Sequence, residues 1–145
     1  MSEAADILIS VEHRHTTNML AGKKTVELRK RAVRVPPGSR VWVYSKIPKG
    51  VVEAVGIIEQ VVCASPNQIW RQYGSETGIS KAEFDEYFAG ADLAYAIVFE
   101  KIEGLKPILS LERIRKKLSS FQPPQFFKRL QAKGPELSLF QTAIA

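Results

Sequence analysis

Residues 51–63, Val-Val-Glu-Ala-Val-Gly-Ile-Ile-Glu-Gln-Val-Val-Cys, constrain this chain more than any other stretch. Seven of the thirteen are Val or Ile, which favours an extended backbone, because branched side chains pack well on a pleated surface and crowd a helix. A strand of that length cannot stay flat in a chain this small. Glu53 and Gly56 interrupt its apolar run. A glycine inside a strand marks a bulge or a bend, so Gly56 is where a sheet built on this strand curls. Pro48-Lys49-Gly50 supplies the turn into it. Long strands, a bend and proline-glycine turns together predict a small closed or half-closed barrel.

The neighbouring segments supply the rest of such a barrel. Residues 7–12 read as a first, mostly buried strand. A short helix over about 16–21 follows, with His15 or Thr16 near its start, Met19 and Leu20 facing inward and Gly22 as its stop. Residues 25–29 form a second strand. A basic loop and Pro36-Pro37-Gly38 then lead to a third over 40–45, with Val41 and Val43 on one face and Trp42 and Tyr44 on the other. Ser65-Pro66 opens a helix ending at Gly74, and Ser80 with Glu83 forms a capping box for the next. Residues 93–101 alternate as a strand, Ser110 caps a further helix, and Pro123-Pro124-Gln125 is expected to begin a short last helix carrying Phe126, Phe127 and Leu130. The apolar tail beyond Lys133-Gly134-Pro135 has three options: to fold back, to bind a protein partner, or to fray. The expected class is α+β, a mixed β-barrel of five or six strands with short flanking helices, as one domain spanning 1–145 with its core over about 6–130 and a tail over 131–145.

Charge is distributed unevenly. Residues 1–50 hold ten Lys or Arg against four Asp or Glu, residues 51–100 hold two against eight, and residues 101–145 hold nine against three. Segregation of this kind predicts a basic face able to attract phosphates and an acidic lobe that repels them. No apolar run approaches the roughly 20 residues that cross a bilayer, and "MSEAADILIS" lacks the features of a signal peptide. Cys63 is the single cysteine. A reducing, cytoplasmic setting is expected, with no membrane contact. No phosphate-cradling loop, zinc spacing or nucleophile elbow is present, so no metal or cofactor is implied.

The candidate chemistry lies in Gly22-Lys23-Lys24-Thr25-Val26-Glu27-Leu28-Arg29. On a strand, Val26 and Leu28 share one face, while Thr25, Glu27 and Arg29 share the other. That polar face presents a hydroxyl, a carboxylate and a guanidinium in a row, with Lys23 and Lys24 just before it. A lysine near another cation loses proton affinity and can act as a base, whereas a paired carboxylate holds it charged. The same residues thus support either a binding clamp or a catalytic group. Trp42 and Tyr44 suit core packing better than base stacking, though stacking stays open. The two histidines, His13 and His15, do not have metal-site spacing; a surface role or phosphate contact is left for them. One carboxylate of the Glu83–Glu86 helix could also reach the cationic group.

The stretch "LAGKKTVELRKR", followed by "PPGSRVWVYS", "GISKAEFDEYFAGADLAYAIVFEKI" and "PPQFFKRL" in that order, resembles the ASCH domain family of the PUA-like superfamily over roughly residues 6–130. The resemblance implies a small β-barrel with flanking helices and a cleft lined by the Gly-x-Lys-x-x-x-x-Arg region. It also implies RNA binding, with hydrolase activity in a few bacterial members: amidohydrolases acting on an acylated cytidine, and ribonucleases. In the amidohydrolase type the motif's lysine falls on Lys24, but its nucleophilic threonine falls on Glu27, and a carboxylate cannot replace that hydroxyl. Thr25 is not expected to take over the role.

Two functions follow as expectations. The first is binding of single-stranded RNA or a nucleotide-like ligand. Lys23, Lys24, Arg29 and Arg31 would meet phosphate, Thr25 would join the polar lining, Glu27 would accept hydrogen bonds, and Trp42 or Tyr44 would stack. The second is hydrolysis of RNA or a modified nucleoside, with Lys24 and Glu27 as base and orienting group.

Overall fold

The computed structural model describes residues 3–144. Its two longest elements are β4 (Val51–Ala64) and β5 (Ala94–Ser110), which pair antiparallel along almost their whole length, from Val51 opposite Ser110 to Ala64 opposite Ala94. Around them lie β1 (Asp6–Val11), β2 (Val26–Arg29), β3 (Arg40–Ser45) and β6 (Phe127–Leu130). All six form one mixed sheet in the order β2-β5-β4-β3-β1-β6, with β1 and β3 the parallel pair. The result is a curled half-barrel flanked by five short helices among the described residues.

The curl has a local cause. The β4 register shifts against β5 between Val52 and Ala54, between Ile57 and Ile58, and between Ile58 and Gln60. Bulges of this kind bend a strand and raise its twist. Gly56 sits between them in regular pairing with Val41 and Ile102. Its side is occupied by the Phe99 ring, which would lie 2.7 Å from an added Cβ. The glycine therefore admits an aromatic ring against the backbone, while its neighbours carry the bulges.

Three apolar clusters result. Alternate residues Ile7, Ile9, Val41, Val43, Ala54, Ile58, Ile97 and Phe99 fill the enclosed face, together with Met19 of α1 (His13–Leu20). On the opposite face, Leu8, Trp42, Tyr44, Val52, Leu105 and Leu109 are covered by Ile114 of α4 (Leu111–Lys117) and by Leu137 and Phe140 of α5 (Pro135–Gln141). Val26 and Leu28 pack with Ile69 and Tyr73 of α2 (Pro66–Tyr73) and Phe84 of α3 (Lys81–Tyr87). The N-cap serines fall where expected: Ser65, Ser80 and Ser110 each accept a backbone N–H three residues on. The reciprocal box closes at Ser65–Gln68 and not at Ser80–Glu83, whose carboxylate goes to Arg14.

Several expectations are corrected or settled. Helix α1 begins at His13 and not near residue 16, Leu20 is 43% exposed where an inward position was expected, and β5 continues past residue 101 to Ser110. Residues 127–130 form a strand, not a helix, pairing with β1 from Asp6 opposite Leu130 to Ile9 opposite Phe127. Otherwise β1 would leave its outer edge unpaired, and four residues gain more from that ladder than from one helical turn. The tail folds back: Leu137, Phe140 and Ala143 are buried, and the Ala143 carbonyl accepts from the Lys106 N–H at 2.8 Å. The apolar side chains that made it a candidate partner-binding segment are taken up by the chain's own core. Among the described residues no helix is long and apolar enough to cross a membrane.

Candidate functional site

At the end of α1 the chain must reverse into β2, and Gly22 takes φ +77° to do so, a region that disfavours side chains. The N–H groups of Lys23 and Lys24 then both donate to the Asn18 carbonyl, at 2.9 and 3.1 Å. This turns Lys24 inward, where its side chain is only 2% exposed. Its Nζ donates to the Thr77 carbonyl at 2.6 Å and lies 3.3 Å from Glu27 Oε1. The other Glu27 oxygen, Oε2, is 3.0 Å from Arg29 Nη2. Burial alone would push the Glu27 carboxyl upward, but the Lys24 and Arg29 charges outweigh it and hold the group below its ordinary value. Glu27 is thus an ionised clamp between two cations.

Arg29 extends the clamp across the gap in the barrel. Its strand is one edge of the sheet, and the curl brings that edge round toward β1 and β6. Arg29 Nη2 donates to the Ser10 carbonyl of β1 at 3.1 Å, and Nη1 donates to the Phe126 carbonyl just before β6 at 3.3 Å. One guanidinium spans a seam that no backbone ladder closes.

Above this seam lies an open cleft of about 170 Å³. Lys24, Glu27 and Arg29 line it, joined by Ser10, Arg14, His15, Lys46, Glu83 and Tyr87. His15 is placed by α1, which Thr16 fastens to the end of β3 through a 2.7 Å contact with the Ser45 hydroxyl. Burial holds the His15 imidazole below its ordinary value, opposed by Glu27 and reinforced by Lys24 and Arg14. It is therefore uncharged at neutral pH. Across the mouth, Arg14 Nη1 donates to Glu83 Oε1 at 2.9 Å and Nη2 to Glu83 Oε2. That hydrogen-bonded guanidinium holds the Glu83 carboxyl below the usual range.

The expected site residues separate on inspection. Lys24, Glu27 and Arg29 converge on the cleft as anticipated. Lys23 is exposed outside the lining, and the Thr25 hydroxyl donates to Glu76 at 3.1 Å instead of facing the cleft. Arg31 belongs to an adjoining hollow. Trp42 and Tyr44 lie in the core on the opposite face, 0% and 4% exposed, and Trp42 Nε1 donates to Asp6 at 2.9 Å. Alternation on β3 puts them under α4 and α5, so they cannot stack a base there. The charge of the cleft is also more balanced than the basic run suggested. Arg14, Lys24, Arg29 and Lys46 face Glu12, Glu27 and Glu83, and Lys46 alone of these cations has no ion pair among the described residues.

Ser10, Arg14, Lys46 and Tyr87 went unnoticed in the sequence. They come from four separate segments, and nothing local marks them. His15, open to a surface role or a phosphate contact by sequence, lines the cleft, and of the acidic helix it is Glu83 that does so.

A family model described as "Domain of unknown function (DUF365)" matches residues 6–128. An "ASCH domain-containing ribonuclease" of Zymomonas mobilis is 30% identical over 120 residues, covering 83% of this chain and 80% of the relative. The crystal structure of ASCH from Zymomonas mobilis superposes with a TM-score of 0.87 at 25% identity, covering 98% of this chain and 96% of that one. The N-terminal domain of Staphylothermus marinus McrB shares the fold, with a TM-score of 0.60 at 9% identity over 97% and 95% of the two chains. The chain belongs to the ASCH domain family, and its half-barrel is a PUA-like fold.

Proposed function

We propose that this protein binds single-stranded RNA and seats one unpaired nucleotide in the cleft over β2. The carrying observation is a solvent-open hollow whose floor is the ion-paired Lys24–Glu27–Arg29 row and whose rim holds the unpaired Lys46. A partly exposed, pre-oriented guanidinium and a rim ammonium suit a phosphate, and the neutral His15 and Tyr87 offer polar edges and ring faces to a base. The Zymomonas relative's name, a ribonuclease, supports RNA as the ligand class.

The near balance of charge in the cleft gives the reading a quantitative form. One or two phosphate contacts predict a slope of about −0.7 to −1.4 in log affinity against log salt, since each contact on a single strand contributes about −0.7. Titrating a labelled single-stranded RNA at several salt concentrations measures it. Lys46→Ala should weaken binding severalfold. Absence of binding at low salt overturns the proposal.

Cleavage of that RNA is a second reading, favoured by the relative's name and by His15. A neutral imidazole can accept the proton of a ribose 2′-hydroxyl. The freed oxygen would attack the adjacent phosphorus, and the departing 5′-oxygen would take a proton from water. Glu27 is poorly suited to be the base, because Lys24 and Arg29 depress its proton affinity. Lys24 and Glu27 then orient, not catalyse. A DNA oligonucleotide containing one ribonucleotide tests this: cleavage 3′ of that residue, lost in His15→Ala, is expected, and an intact substrate after prolonged incubation rejects it.

A further inference from the structure

Beyond the cleft lies a second hollow of about 70 Å³ that shares Arg29 and Tyr87 with it as a common wall. Its lining differs in kind. Val33, Phe126 and Phe127 give it an apolar floor, with Lys30 and Arg31 at the rim. Two large aromatics of this region stay exposed, Tyr87 at 37% and Phe126 at 41%. Each is overlaid by a cation: Lys30 Nζ sits 4.8 Å from the Tyr87 ring centre, and the Arg31 guanidinium carbon sits 3.7 Å from that of Phe126. At 3.7 Å the guanidinium is seated on the ring, which leaves its outer face turned away from Phe126.

We propose that this hollow is a second nucleotide subsite, in which the base next to the one in the cleft stacks on Arg31 backed by Phe126. The inference rests on the RNA-binding reading of the cleft. Three features converge on it. The hollow adjoins the cleft, with Arg29 and Tyr87 lining both, so neighbouring bases of an unstacked strand can straddle the pair. A planar guanidinium held on an aromatic ring is a stacking platform for any base, since every base has a π-face. The rim adds positive charge for the sugar–phosphate chain, since Lys30 and Arg31 have no carboxylate partner among the described residues. Both hollows need bases splayed from their neighbours, so the ligand class is single-stranded RNA of at least two nucleotides, and duplex RNA is excluded.

The test compares 5′-phosphorylated uridine mono- and dinucleotides by competition against a labelled oligouridylate. The wild-type chain should bind the dinucleotide about fivefold more tightly or better, the low end expected for one stacked base. That ratio should fall toward one in Phe126→Ala and in Arg31→Lys, which keeps the charge but loses the plane, and should persist in Phe126→Tyr. Lys46→Ala should weaken both ligands and keep the ratio. An unchanged ratio in Phe126→Ala and Arg31→Lys, with Lys46→Ala still weakening the mononucleotide, overturns the subsite and leaves the cleft reading standing. Failure of the wild-type chain to bind either ligand overturns both.

Discussion

Trp42 and Tyr44 on one face of β3 and Glu27 on one face of β2 are all buried, yet by different means. Over Trp42 the chain lays α5, whose Phe140 ring centre is 5.6 Å from the indole, and the single polar atom finds Asp6. That region removes apolar area from water and stabilises the fold directly. Around Glu27 the neighbours are charges, Lys24 on one oxygen and Arg29 on the other, beneath an open cleft. Burying ions costs desolvation that their attraction rarely exceeds. The first region is therefore explained by stability alone. The second is not, and what it does achieve is to hold Arg29 across the seam at one orientation.

Removing the carboxylate should expose that difference most sharply. Glu27→Leu leaves the Lys24 ammonium buried without a countercharge, and a loss of about 3–5 kcal/mol is expected in urea denaturation. Adding Lys24→Met should recover much of it, because an apolar pair of similar volume avoids the desolvation cost. RNA binding should be weakened in both variants, since Arg29 keeps only its Ser10 and Phe126 carbonyl partners. A small loss from Glu27→Leu alone would mean that Lys24 reaches water, and the two regions would no longer differ.

The mirror experiment lies on the other face. Phe140→Ala opens a cavity against Trp42 and Phe121 and should lower stability by about 3 kcal/mol. RNA affinity measured well below the melting temperature should not change. If affinity falls with stability, the helical roof and the cleft are coupled, and the separation drawn here fails.

Which face becomes a site was only partly readable from the chain. Alternation placed Glu27 and Arg29 together and Trp42 with Tyr44 correctly, since parity is a local property. The curl was also foreseeable from the length of β4 and from Gly56, although the bulges fall beside the glycine. Parity cannot say what covers a face. That depends on α5, formed by a tail whose apolar residues gave no direction, and on β6, where Pro123-Pro124 suggested a helix start but the open edge of β1 decided the outcome. For the same reason Arg14 and Lys46 were invisible: their place in the cleft comes from the closure of the barrel, not from neighbours in sequence.

Acid should affect the charged region in two stages. Glu27 titrates below its ordinary 4.5 in the folded chain, so its contribution is complete above that value and disappears as pH falls through the folded one. His15 titrates below its ordinary 6.5. As pH drops through 6.5 the unfolded chain takes the proton first, and stability declines until the folded imidazole is also protonated. Urea midpoints at pH 7 and 5.5 should therefore fall more for the wild-type chain than for His15→Gln, and equal falls would place the acid sensitivity elsewhere. Phe140→Ala should show the wild-type pH profile, merely shifted down.

The smallest effect on stability concerns the ion pair across the cleft mouth. Arg14 and Glu83 are 48% and 37% exposed, and water screens pairs of that kind, so Glu83→Gln should change stability by less than about 1 kcal/mol. Its effect on binding should run the other way. With Glu83 ionised, Arg14 is tied to α3 and unavailable to a phosphate. Neutralising the carboxylate releases the guanidinium from α3, leaving it only the exposed Glu12 contact at 3.4 Å, and removes a negative charge from the rim. RNA affinity should therefore rise severalfold, and the salt slope should steepen by up to about 0.7, one added phosphate contact. Weaker binding in Glu83→Gln would show instead that the pair shapes the cleft, with Arg14 useful only where Glu83 holds it.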